Sequence, residues 1–215
     1  TGVADLARIP DLEINLGGPA ETFTSTNLHQ INSITNTEGM SNIQMLDDGV
    51  VVVLLDAGIT VDGGHLSFGM ASLPTEGQVV GTTFTGNDGE FTMLTDLTVF
   101  GTTDQTDTDI HLGAQTLEVE DIYTHDGTGV IDGTGWLLVT YDNVGGAGNF
   151  NITTDLTVAN LEMAPTTGAV NLTDGNGAAV GTLEITDTYT HTTGTFDLQA
   201  DDVLLSGSTF NYVFG

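Results

Sequence analysis

From residue 91 onward the chain carries short pairs of the form apolar-x-apolar at a spacing that hardly changes. Leu97-x-Val99, Leu117-x-Val119, Leu137-x-Val139, Leu156-x-Val158, Leu183-x-Ile185 and Val203-x-Leu205 form one series. Their first members return at a near-constant interval, with one longer step between Leu156 and Leu183. Phe91-x-Met93, Ile110-x-Leu112, Phe150-x-Ile152, Val170-x-Leu172 and Phe196-x-Leu198 form a second series. Alternation at period two marks strands, because successive side chains of a strand point to opposite faces. Strands that return every ~20 residues mark coils stacked on one another, each burying its apolar row against the next.

The spacing therefore predicts an all-β chain, a parallel β-solenoid (β-helix) with about 20 residues per coil. A coil of that length holds three short strands, and Phe150-x-Ile152, Leu156-x-Val158 and Leu161-x-Met163 are expected on three successive faces. Helix is a poor reading of segments so rich in Thr, Val, Ile and Gly. An antiparallel sandwich also uses short strands and Gly-rich turns, but nothing in it fixes one spacing across six rungs. Gly89, Gly129, Gly148, Gly168 and Gly194 stand at or just before strand starts and are expected at corners that need positive φ. The stretch from Leu117 to His125 recurs from Leu183 to His191, which reads as three coils plus an insertion at 174–179.

Residues 1–40 lack the ladder and are expected to form an N-terminal cap or a subunit-contact segment, with the solenoid spanning 41–215. Within the cap, Leu12-x-Ile14-x-Leu16 alternates as a strand does. At the other end Phe210-x-Tyr212-x-Phe214 closes the sequence on an apolar strand with no polar cap after it. Leu12, Ile14, Phe210, Tyr212 and Phe214 are thus the expected contacts of a homopolymer, joined head to tail or laterally.

One Lys/Arg, Arg8, faces 30 acidic residues, a formal charge of −29. Such a polyanion has no cations with which to displace the counterions of phosphate, so nucleic acid and anionic membrane surfaces are excluded as partners. No stretch of about 18 apolar residues offers a membrane span, and the absence of cysteine rules out disulfides and thiolate metal sites. Thr1 in place of an initiator Met fits removal of a secretion signal, and a trimmed end would look the same. The carboxylates call for salt or bound cations, which points to a secreted, extracellular or cell-surface setting. Asp88, Glu90, Asp126, Asp132, Asp174 and Asn176, in Asp/Asn-Gly turns, carry the hard oxygen ligands suited to Ca²⁺, although none completes an EF-hand loop. The competing reading is of ordinary turns. Asp96, Asp155 and Asp202 each precede the same rung type, where they either share cations along one edge or cap turn amides. His125 and His191 follow Tyr123 and Tyr189 at equivalent positions and are expected on a solvated face, too far apart to share a metal.

The segment Gly194-Thr-Phe196-Asp-Leu198-Gln-Ala200-Asp-Asp-Val203-Leu-Leu205-Ser-Gly207-Ser-Thr-Phe210 resembles the repeats of filamentous-haemagglutinin-type adhesins. The resemblance covers roughly residues 90–215 and implies a right-handed parallel β-helix, secretion, and an adhesive or structural role at the cell surface. The chain is more acidic than that family. Parallel β-helix enzymes acting on acidic polysaccharides use Arg or Lys, which the ladder lacks, so no enzymatic activity is expected. The expected function is a non-enzymatic structural subunit that self-assembles into a filament, sheath or surface layer, aided by divalent cations or salt. The alternative is a surface adhesin or binding module for glycan, protein or ice, acting without polymerisation; Thr-x-Thr recurs only sporadically for an ice face.

Overall fold

The structure, a computed structural model, describes residues 7–9, 12–15, 21–25, 28–38, 40–45, 52–69, 78–141, 148–166, 169–173, 181–197, 203–207 and 209–212. Among the described residues every strand pair is parallel, and strands inside the stack bond to strands of the neighbouring coils. The chain is a β-solenoid whose coils lie roughly 24 residues apart. Among the described pairs the offset is shortest between Val79 and Leu97 and longest between Leu161 and Tyr189.

Three faces follow from the register. On the Leu97 face, 28–31, 52–55, 78–81, 96–99, 116–119, 136–139, 160–163, 188–191 and 209–212 stack in that order. On the Phe84 face the order is 12–15, 34–38, 58–62, 84–88, 103–105, 123–125, 148–152, 169–173 and 195–197. The Phe91 face runs through 21–25, 40–45, 65–69, 90–93, 109–111 and 131–132, then through 156–158, 183–185 and 203–205. Parallel pairing thus reaches 7–9, 12–15 and 21–25, inside the segment expected to be a cap.

Alternation along these strands directs one side chain in two inward. The inner rows form one continuous core containing Leu97, Leu117, Leu137 and Leu161 on the first face. Ile59, Phe84, Tyr123 and Phe150 supply the second, and Leu66, Phe91, Ile110, Leu156 and Leu183 the third. Tyr123 stacks on Phe150 with ring centroids 4.8 Å apart, and Phe84 meets Phe91 across a corner at 5.1 Å. Stacked and tilted ring pairs of this kind add stabilisation beyond their buried area.

The three strands expected on successive faces, at Phe150, Leu156 and Leu161, lie as expected. The longer ladders need correction. Leu137 stacks on Leu161, not on Leu156; Leu156 stacks on Leu183 on the Phe91 face, and Leu183 on Val203. The second series likewise passes from the Phe91 face at Ile110 to the Phe84 face at Phe150. The cause is extra chain between Tyr141 and Gly148, which lengthens the step from Tyr123 to its partner Phe150. Neighbouring faces start close together in sequence, as at Leu156 and Leu161. A lengthened coil therefore leaves the preceding face's rung almost at the place where the same face's rung was due. The insertion at 174–179 lies outside the described residues, but the long step from Leu156 to its partner Leu183 spans it.

Gly89 and Gly194 take φ of 85° and 73°, as expected for corners. Gly129 is not in the left-handed region; it is small because a Cβ there would strike the Thr108 carbonyl of the previous coil. Gly148 begins a strand, and Gly168 lies outside the described residues.

Candidate functional site

Outward positions of the Phe91 face bring together residues from four successive coils. His65 is the Cα partner of Glu90, and His111 is the partner of Asp132. His65 Nδ1 lies 3.3 Å from Glu90 Oε2, and His111 Nε2 lies 3.9 Å from that same oxygen. His111 Nδ1 is 2.8 Å from Asp132 Oδ1. On its far side, His65 Nε2 meets Thr92 Oγ1 at 2.8 Å and Ser67 Oγ at 3.3 Å. The two imidazoles stand edge to face with centroids 6.4 Å apart. Glu90 and Asp132 were expected as Ca²⁺ ligands; the structure sets both against histidines that the motif reading left unassigned. Their signal was in the sequence, since positions 65, 90, 111 and 132 follow one another at coil spacings.

The other candidate acids act within turns or across coils. Asp88 Oδ1 accepts the Gly89 amide at 2.7 Å, and Asp126 Oδ1 accepts the Thr153 hydroxyl at 2.6 Å. Asp174, Asn176 and Phe214 lie outside the described residues. Asp96 and Asp155 cap amides of the following coil, those of Thr116 and Thr182, each at 2.8 Å. They do not share an edge, because Asp96 opens the Leu97 face and Asp155 the Phe91 face; Asp202 is outside the described residues. Asp109 caps Val130 at 3.0 Å, and Asp107 accepts both the amide and the hydroxyl of Thr128, at 2.8 and 2.9 Å. Those two bonds hold the Asp107 carboxyl below the usual carboxylate range. Among the described residues, no group of three His, Asp or Glu side chains is placed to hold a metal ion.

His125 and His191 are interior residues on different faces, contrary to the solvated positions expected. His125 lies in register with Gln105 and Ile152 on the Phe84 face, and His191 with Met163 and Tyr212 on the Leu97 face. The recurring Leu-to-His unit is therefore one strand, one corner and the next strand, placed at two different corners. His125 is fully buried, and neither ring nitrogen makes a hydrogen bond of good geometry. Burial pushes its pKa below the ordinary histidine value, opposed by the Asp155 backbone and then by Asp126 and Asp107. Beside it Gln105 is fully satisfied: its Nε2 donates to the carbonyls of Thr108 and Val130, at 2.7 and 3.1 Å, and its Oε1 accepts the Tyr123 hydroxyl at 2.6 Å.

The last described coil differs from those before it. Ile185 and Tyr189 are buried, but their successors Leu205 and Phe210 are 45% and 58% exposed. Phe210 stacks on Tyr189 with centroids 5.4 Å apart, and its outer surface stays open. Leu205, Thr209 and Phe210 line a shallow depression with Ile185 and Tyr189. Among the described residues no further strand pairs with Val203–Leu205 or Thr209–Tyr212. Leu12 and Ile14, expected at the opposite contact, lie in the strand Leu12–Asn15 that pairs with 34–38.

The class these features define is a parallel β-solenoid whose outer faces are acidic and hydroxyl-rich. No protein-family model matches the chain, and neither the curated proteins nor the solved structures compared with it gave a significant match.

Proposed function

We propose that the chain is a structural subunit of an extracellular assembly, a β-solenoid module that joins to further copies of itself end to end in a filament, sheath or surface layer. The observation that supports this reading is the last described coil, where Leu205 and Phe210 continue two buried interior rows and are exposed among the described residues. An interior row is stable when the next coil covers it, and an open strand edge offers its amides and carbonyls to another strand. A second copy supplies such a coil in register. Charge favours the same geometry: flanks contributing to a formal charge of −29 repel one another, while the apolar edge carries no such penalty. Salt or divalent cations then promote assembly by screening the flanks. The pattern shared with filamentous-haemagglutinin-type repeats supports a surface location.

Sedimentation of the 215-residue chain in rising NaCl, and in Ca²⁺ against EDTA, tests this reading. Polymers are expected to grow with salt or Ca²⁺ and to be lost in Leu205→Asp/Phe210→Asp. A monomer under every condition would overturn end-to-end assembly and leave the open coil to be covered by further sequence of the same polypeptide.

A further inference from the structure

The outer side of the Leu97 face holds the chain's one tryptophan. Trp136 and Leu138 alternate with the buried Leu137 and Val139, so both occupy outward positions, and both are half-buried. Register places Thr116 and Asn160 on either side of Trp136, and Glu118 and Glu162 on either side of Leu138. Thr116 and Asn160 are too short to cover an indole. Asn160 also turns its Nδ2 away to the carbonyls of Thr134 and Gly135, at 3.1 Å each. Among the described residues no other ring pairs with Trp136. Diagonal neighbours on one side of a sheet stand ~7–8 Å apart, within reach of aromatic and long side chains. The indole and both glutamates therefore serve one patch.

Each glutamate commits one oxygen to a hydroxyl. Glu118 Oε2 accepts from Thr98 at 3.0 Å, and Glu162 Oε1 accepts from Thr192 at 3.3 Å. Those bonds orient the carboxylates without neutralising them, and the ion pairs among the described residues involve other side chains. The one Lys/Arg of the chain, Arg8, lies in the strand that starts this face's stack.

We propose that the Trp136 patch binds arginine side chains carried on a basic segment of another protein. Charge complementarity selects the occupant: two carboxylates flank an aromatic ring on a chain of formal charge −29, which draws cations toward it. A second copy of this chain brings one basic residue against 30 acids and is repelled by the same field. A guanidinium is planar and weakly hydrated, so it stacks on an indole and still presents paired N–H donors to a carboxylate. Its methylene stem covers Leu138, the apolar neighbour that a polar ligand would leave unused. An ammonium offers neither the flat stack nor the paired donors. The patch lies on a flank of the rod and is independent of the end-to-end assembly proposed above.

The single tryptophan makes the test direct, since intrinsic fluorescence of the full chain reports on this patch alone. The probe is a blocked peptide of alternating Gly and Arg, titrated in ~0.15 M NaCl to screen distant charges. A saturable change in Trp136 emission is expected. The same peptide with Lys in place of Arg should bind about two- to fivefold more weakly, the worth of an exposed cation–π contact. Glu118→Gln and Glu162→Gln should each weaken the Arg peptide by about two- to fivefold. Glu184→Gln removes one charge from a different face and should change binding less. Trp136→Leu, followed by anisotropy of a labelled peptide, should abolish the preference for Arg over Lys. Emission that does not respond, equal binding of the two peptides, or equal effects of Glu184→Gln and Glu118→Gln would overturn the proposal. So would a neutral oligosaccharide that shifts the emission where the Arg peptide does not.

Discussion

The corrected register makes a prediction that the sequence spacing alone would reverse. Leu138 and Glu162 are Cα partners in adjacent parallel strands, both at outward positions of the Leu97 face. Adjacent strands lie ~4.8 Å apart, inside the ~4.4–6.8 Å Cα window that a disulfide spans. Leu138→Cys/Glu162→Cys should therefore close on mild oxidation. The ladder read from sequence would instead align Leu138 with Thr157, which the structure places on the Phe91 face, in register with Glu184. Leu138→Cys/Thr157→Cys should stay reduced. The chain has no cysteine of its own, so thiol titration and non-reducing gel mobility report only the engineered pair. Closing a loop of about 25 residues removes enough unfolded-state freedom to stabilise by about 3.5 kcal/mol. For a chain of this size that raises Tm by roughly 7–14 °C relative to the reduced form. Ready closure of the 138/157 pair, with 138/162 left as free thiols, would refute the three-face register and restore the continuous ladder through Leu156.

Tyr123→Phe removes the hydroxyl that satisfies Gln105 Oε1 in the core and should cost about 1–3 kcal/mol in denaturant unfolding; an unchanged midpoint would mean that another donor reaches that oxygen. His125 is neutral and buried, with its folded pKa below the ordinary value of 6.5, so the unfolded chain takes up the proton first. Its contribution is constant above that value and falls as pH drops through it toward the folded pKa, and His125→Leu should flatten Tm against pH in this upper window. Asp107, held below its ordinary 3.8, works in a lower window: its contribution is full above that value and is lost as pH falls beneath it. Asp107→Asn should therefore change the acid limb of the same curve and leave the histidine window in place.

The architecture was legible because a solenoid repeats one physical problem, the burial of an inner row, at near-constant spacing. Phase was harder to read. Leu-x-Val pairs serve equally well on any face, so Leu137 and Leu156 look like successive rungs although a corner separates their rows. Only the pairing shows that chain added near 142–147 set the reading back by one face. The same ambiguity hid the histidines. His125 and His191 follow identical Tyr-Thr pairs, and a polar residue after a strand reads as solvated, yet alternation from Tyr123 and Tyr189 carries both inward. The outer row of His65, Glu90, His111 and Asp132 was hidden for the opposite reason: its members share no local motif, only coil spacing. Turn chemistry, by contrast, was readable, since the amide-capping roles of Asp96 and Asp155 follow from a carboxylate placed just before a strand.

A chain with one basic side chain and 30 acids must hold its coils together without ordinary ion pairs. The described contacts show how part of that charge is used. Asp96, Asp107, Asp109 and Asp155 each turn a carboxylate onto a backbone amide of the next coil, a charge-assisted bond that needs no lysine or arginine. The arrangement is directional: each of these four carboxylates reaches forward by one coil and presents an acceptor to the next. At the last described coil that pattern meets an edge where Leu205 and Phe210 are also uncovered. Whatever coil docks there must bring apolar residues for the two inner rows and amides for the strand edge. A lysine-rich partner would satisfy neither requirement. A surface built like this chain's own earlier coils satisfies both, whether it belongs to a second copy or to further sequence of the same polypeptide.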